Sequence, residues 1–212
     1  MVEFDEEGNV IVAVTGGLGT GKSTVSKILA VTLDTDLLDT DLLCRLQMQP
    51  GADGYNYFCS VFGEKFIQDD GNIDRTLLRQ AVFDDEELRG QLENILHPIV
   101  QDQVIAHGKS SSSSGEILVV EVPLLYEVGW QDRFDVCIVV YVPEELIVQR
   151  VKARDGLDAD QIKQISKTQM PIQKKLDYAH FIVDNSGTFV STMQQIAWLT
   201  KKLNKKLKME RK

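Results

Sequence analysis

Residues 10 to 24 constrain this chain more than any other stretch. They read Val-Ile-Val-Ala-Val-Thr-Gly-Gly-Leu-Gly-Thr-Gly-Lys-Ser-Thr. An apolar run, Val10 to Val14, breaks into Gly16, Gly17, Gly19 and Gly21, followed by Lys22 and Ser23. This is the pattern G-x-x-x-x-G-K-[ST], with a buried strand before it and an amphipathic helix after it. The glycines let backbone N–H groups turn inward around phosphate oxygens. A helix opening near Lys22 adds its positive N-terminal end. Gly17, Leu18, Gly19, Thr20, Gly21 and Thr24 are therefore expected to cradle a nucleotide, with Lys22 reaching its outer phosphates and the Ser23 hydroxyl ligating Mg²⁺.

The rest of the chain reads as alternating apolar strands and helices. After the loop, Val25, Ile28, Leu29 and Leu33 sit at helical spacing. Leu37-Leu38 is a short strand candidate ending at Asp39-Thr40-Asp41, where open α/β sheets bind ligands. If the strand continued, the two acids would point opposite ways. Either could face the site, and either could cap the segment Leu42 to Met48.

Residues 42 to 108 are expected to be helical. Tyr55, Phe58, Val61 and Phe62 make an apolar stripe; Asp74 is a helix cap with Leu77, Leu78, Ala81 and Val82 facing inward. Glu86 and Glu87 open a further helix that Pro98 bends or restarts. Such a block, inserted over the sheet, would hold a phosphate acceptor in a kinase of this architecture. Lys109 to Gly115, with five consecutive serines, reads as a flexible surface loop.

Ile117 to Val120 is a buried strand closed by Glu121, which places a carboxylate near Mg²⁺-bound water. Val136 to Val142 is a strand covered on both faces. Pro143-Glu144-Glu145 then opens a helix on which Arg150 and Arg154 share a face. Beside a phosphate loop these two cations read as clamps for a transferring phosphoryl group. Residues 155 to 178 suggest two short helices forming a mobile flap. Phe181 to Val183 is a last strand. The final helix is expected to bury Val190, Met193, Ile196, Leu199, Leu203 and Leu207 on one stripe.

Composition excludes several function classes. The chain has 212 residues, 43% of them hydrophobic, enough for one compact domain or a core with a small subdomain. No apolar run is long enough to span a membrane, and Met1 to Asn9 lacks a signal-peptide stretch, so the expectation is a cytoplasmic protein without membrane partners. The net charge of −9 argues against general nucleic-acid binding. Residues 201 to 212 carry +6, leaving −15 on residues 1 to 200. That basic end reads as a solvated helix terminus. Cys44, Cys59 and Cys137 are far apart, have no metal-type spacing, and read as buried thiols.

The order of these motifs resembles the dephospho-CoA kinase family. The resemblance runs through Thr15 to Thr24, Asp39-Thr40-Asp41 with Arg45, Pro50-Gly51, Phe62-Gly63, Arg75 with Leu78, and Leu96-His97-Pro98. It continues through Val122-Pro123-Leu124-Leu125-Tyr126-Glu127, Arg150 with Arg154, Gln169-Met170-Pro171 and Asp184-Asn185-Ser186-Gly187. It implies a P-loop NTPase fold: a three-layer α/β/α core with a five-stranded parallel sheet, a helical acceptor-binding insertion and a lid. The corresponding boundaries are a core of about 8–41, 115–150 and 179–212, an insertion of about 42–108, the serine loop 109–115, and a lid of about 151–178.

The implied reaction transfers the γ-phosphoryl of ATP to the 3′-hydroxyl of dephospho-CoA. The implied catalytic residues are Asp41, as base or orienter, with Lys22 and Arg150 on the phosphoryl charge. The acceptor would meet Asp41, Arg45, Arg75, His97, Pro123, Leu124 and Leu125. The chain departs from the family pattern at Gln173-Lys174-Lys175-Leu176, where Glu-Lys-Arg is frequent, and at Ala179-His180, where Ala-Asp is frequent. The rival readings are a nucleoside or nucleotide kinase on the same scaffold and a nucleotide-binding regulatory protein. A guanine-type Asn-Lys-x-Asp motif is absent.

Overall fold

A computed structural model describes residues 10–110 and 117–210. The N-terminal stretch Met1 to Asn9 and residues 111–116, which include 111–115 of the expected serine loop, lie outside the described residues. Two units are distinguished: residues 1–39 with 108–212, and residues 40–107.

The first unit is built on five parallel strands. They are β1 (Val10–Gly16), β2 (Leu37–Asp39), β3 (Ile117–Glu121), β4 (Val136–Tyr141) and β5 (Phe181–Asp184), in the order β2-β3-β1-β4-β5. The apolar runs seen in the sequence become inner strands because both sheet faces are covered. On one face Val12, Val14, Ile138 and Val140 pack against Val25 and Leu29 of α1 (Lys22–Leu33) and Ile196 and Leu199 of α9 (Phe189–Glu210). The alternate residues Ala13, Leu118, Val120, Cys137 and Val139 are also buried.

The α9 stripe differs from the expected one. Thr192, Ile196, Leu199 and Leu203 are buried, whereas Val190 is 64% and Met193 37% exposed. The buried set follows i, i+4, i+7, i+11, and Val190 falls outside that arc. The Leu207 side chain lies outside the described residues. The remaining helices of this unit are α6 (Glu144–Asp155), α7 (Ala159–Lys167) and α8 (Ile172–Asp177).

The second unit holds α2 (Thr40–Gln47), α3 (Asp53–Phe62), α4 (Arg75–Asp84) and most of α5 (Glu86–Ser110). Its core gathers Phe58, Phe66, Ile73, Leu78 and Leu88. Asp74 caps α4, accepting from Thr76 N–H and Leu77 N–H. Leu77, expected inward, is exposed, because Leu78 takes the buried position one residue on. Val61 is likewise exposed while Phe58 and Phe62 pack together. Pro98 does not restart a helix: α5 is one element through it and on to Ser110, two residues into the expected loop. Among the described residues no helix is long and apolar enough to cross a membrane. None of the three cysteines is in a disulfide, and of them only Cys137 is buried; Cys44 and Cys59 are half-buried.

Candidate active site

β1 ends inside the glycine run, and α1 begins at Lys22. Two glycines are required by the geometry between them. Gly19 has φ +70°, and a Cβ there would lie 2.6 Å from Val151 Cγ2. Gly21 is the left-handed N-cap of α1, with φ +86°, and a Cβ there would collide with the Asn185 carboxamide. The loop therefore closes tightly against α6 and the segment after β5. A residue with a Cβ would open it.

Side chains hold the loop from within and without. The Gly17 carbonyl accepts from Lys22 Nζ at 3.0 Å and from Thr20 Oγ1 at 2.9 Å. The Thr20 carbonyl accepts from Asn185 Nδ2 at 2.8 Å, and the Asn185 Oδ1 accepts from Thr192 Oγ1 at 2.8 Å. The Leu18 N–H donates to Gln169 Oε1 at 3.0 Å. Neither Gln169 nor Asn185 carries a role in the sequence reading, although both lie in motifs named there. A carboxamide has no chemistry that a spacing rule detects.

At the carboxyl edge of the sheet the Ser23 hydroxyl donates to Glu121 Oε1 at 2.7 Å. Glu121 ends β3 and is paired in register with Asp39 at the end of β2. Burial pushes the Glu121 carboxyl above the usual range; the Ser23 hydroxyl opposes this, and the Asp39 charge adds to it. Asp39 and Asp41 do not alternate on one strand. The strand stops at Asp39 and α2 starts at Thr40, so Asp41 stands in the first turn of a helix, a position suited to a carboxylate.

Arg150, on α6, donates from Nη2 to the Asn185 carbonyl at 2.8 Å. Arg154, one turn further, is held by Asp155 through 2.8 and 2.7 Å contacts. Gly19, Gly21, Arg150, Arg154, Asn185 and Phe189 surround a cavity of about 390 Å³ beside the loop. The structure thus brings together the loop, Ser23, Thr24 and Arg150 from the sequence-derived set.

The acceptor-side set is distributed differently. Asp41 and Arg45 are exposed, one turn apart on α2; Arg75 opens α4; His97 lies on α5. Burial lowers the His97 pKa, with Glu93 opposing. Pro123 is tied to β1, its carbonyl accepting from Thr15 Oγ1 at 3.3 Å. Leu124 is 40% exposed, but Leu125 is fully buried. Leu125, expected on the acceptor side, is instead buried together with Tyr126, because the turn that exposes Leu124 directs both following side chains inward.

Of the two departures from the family pattern, Leu176 is half-buried and His180 has a structural partner. His180 Nδ1 accepts the Cys137 N–H at 3.0 Å, and the Cys137 carbonyl accepts the His180 N–H at 2.9 Å. The imidazole fills the acceptor role open to a carboxylate at this position. Lys175 is wholly buried, with Nζ 2.8 Å from Glu127 Oε1.

Comparisons with known proteins point to one family. A family model described as dephospho-CoA kinase matches residues 10–191. The dephospho-CoA kinase of Desulfotalea psychrophila is 36% identical over 185 residues, covering 87% of this chain and 93% of that protein. That of Geobacter sulfurreducens is 38% identical over 179 residues, covering 84% and 90%. The solved structure of the dephospho-CoA kinase from Campylobacter jejuni superposes with a TM-score of 0.69 at 27% identity, covering 93% of this chain and 98% of that one. Phosphate loop, strand-end carboxylate and α6 arginine lie within the matched span, and the chain belongs to the dephospho-CoA kinase family.

Proposed function

We propose that this chain transfers the γ-phosphoryl group of ATP to the 3′-hydroxyl of dephospho-CoA, giving CoA and ADP. The observation that carries the reading is the joining of the phosphate loop and Arg150 around one cavity, with the Ser23–Glu121 contact in the first turn of α1 after the loop, in a chain of this family. The loop N–H groups and the N-terminus of α1 take the phosphates. The neighbouring cavity takes the nucleoside, between the arginines of α6 and the exposed Phe189 ring.

Ser23, with Glu121 and Asp39 behind it, has the donor set for Mg²⁺. It offers one direct hydroxyl and two carboxylates at the strand ends, and no three-residue metal cage exists among the described residues. Mg²⁺ is commonly held this way, keeping waters and phosphate oxygens as its other ligands. When bound, the ion neutralises charge on the β- and γ-phosphates.

The protein's own work is positioning and charge stabilisation. Lys22 keeps one N–H on the Gly17 carbonyl and turns the others to the outer phosphates, and Arg150 faces the same charge. Asp41 orients the ribose hydroxyl and takes its proton as the bond from the β–γ bridging oxygen to phosphorus breaks and the bond from the 3′-oxygen forms. Arg45, Arg75 and His97, with Pro123 and Leu124, serve the acceptor.

The test is the purified protein with ATP and Mg²⁺ against dephospho-CoA, adenosine and AMP. Product from dephospho-CoA alone supports the reading. Product only from adenosine or AMP overturns it in favour of a nucleoside or nucleotide kinase.

A further inference from the structure

The peptide unit between Gly17 and Leu18 is gripped from both sides. Its carbonyl accepts from Lys22 Nζ at 3.0 Å. Its N–H belongs to the same plane, points the opposite way, and donates to Gln169 Oε1 at 3.0 Å. A peptide bond is rigid and trans, so fixing the N–H fixes the carbonyl. Gln169 therefore determines where the acceptor of the Lys22 ammonium stands.

Gln169 is itself held. It lies between α7 and α8, and the next residue donates its N–H to Glu127 Oε1 at 2.7 Å. The same oxygen lies 2.8 Å from Lys175 Nζ, and Lys175 has no exposed side-chain surface. A buried ammonium requires a fixed anion beside it, so α8 cannot slide along this contact without uncovering an unpaired charge. The connection runs from Lys175 and Glu127 through Met170 N–H to the adjoining Gln169, and from its carboxamide to the loop. Gln169 also lines a cavity of about 840 Å³ with Leu18, Ile162 and Met170, so this grip stands in the cavity wall.

We propose that Gln169 is a positioning residue of the phosphate loop: its carboxamide oxygen, set in place through Met170 by the buried Glu127–Lys175 pair, orients the Gly17–Leu18 peptide and through it Lys22. Gln169 acts on the reacting group only through that peptide. The inference rests on the chain's being a kinase of dephospho-CoA.

Gln169→Met keeps the length of the side chain and removes the acceptor. We expect kcat to fall about tenfold, the size of one lost neutral hydrogen bond, with KM for ATP changed less than about threefold and the melting midpoint lowered by no more than a few degrees. Gln169→Ala moves kcat in the same direction and stands in if the Met variant does not fold. In a Lys22→Met background, Gln169→Met adds little further loss, because its effect passes through Lys22. Amide exchange of the loop peptide, followed with ADP alone, quickens in the Met variant. Unchanged kcat and loop exchange, or a full additional loss in the Lys22→Met background, overturns the proposal. Wild-type protein that fails to phosphorylate dephospho-CoA overturns the assigned reaction instead, whereas the loop exchange tests Gln169 without any acceptor.

Discussion

Glu121 carries two demands on one carboxylate. It must lie at the buried end of β3 to receive the Ser23 hydroxyl, and burial raises its pKa. The native protein therefore keeps this proton to a higher pH than the unfolded chain does. The associated stability is present below the unfolded value and is lost as pH rises through the native one. Glu121→Gln removes that loss. In melts from about pH 4 to about pH 8, the variant's stability relative to wild type should rise with pH across the glutamate range and then level off. A difference that stays flat would contradict the burial argument. Asp41 poses a different question at the same scale. An acid that orients and deprotonates the acceptor acts in the transition state, so Asp41→Asn should lower kcat by at least tenfold and leave ATP binding, measured by calorimetry, near wild type.

Among the elements, α7 shows how local sequence secures a short helix. Asp158 accepts the Gln161 N–H at 2.8 Å and Gln161 Oε1 accepts the Asp158 N–H at 3.0 Å, a reciprocal capping box. Asp158→Ala should weaken α7 by about 1 kcal/mol, seen as faster amide exchange confined to residues 159–167. Such caps are legible in sequence because donor and acceptor are three residues apart. The strands were legible because an apolar run buried on both faces leaves a contiguous record. The α9 stripe was less so: several apolar residues at nearly helical spacing admit more than one arc, and contact with the sheet selects Thr192, Ile196, Leu199 and Leu203. The stop of β2 at Asp39 was also open, since Asp-Thr-Asp suits both a strand end and a helix start.

For the molecule as a whole, stability and nucleotide binding are linked. ADP that binds the folded loop and not the unfolded chain should add about 2.7 kcal/mol at a hundredfold excess over its Kd. A thermal shift with ADP should therefore appear in wild type and shrink in Lys22→Met, and an equal shift in both would remove Lys22 from the phosphate site.

The sequence by itself determined the phosphate loop, the apolar strands and the ordered motifs of the family, because each is written in neighbouring residues whose geometry follows from backbone chemistry. Only the tertiary structure decided which side chains close the site. Ser23 meets Glu121 across 98 residues, Leu18 meets Gln169 across 151, and Thr20 meets Asn185 across 165. The burial of Lys175 on Glu127 was decided in the same way. The physical reason is that a hydrogen bond or ion pair depends on distance in space, and no periodicity along the chain encodes which distant acceptor a given donor will reach.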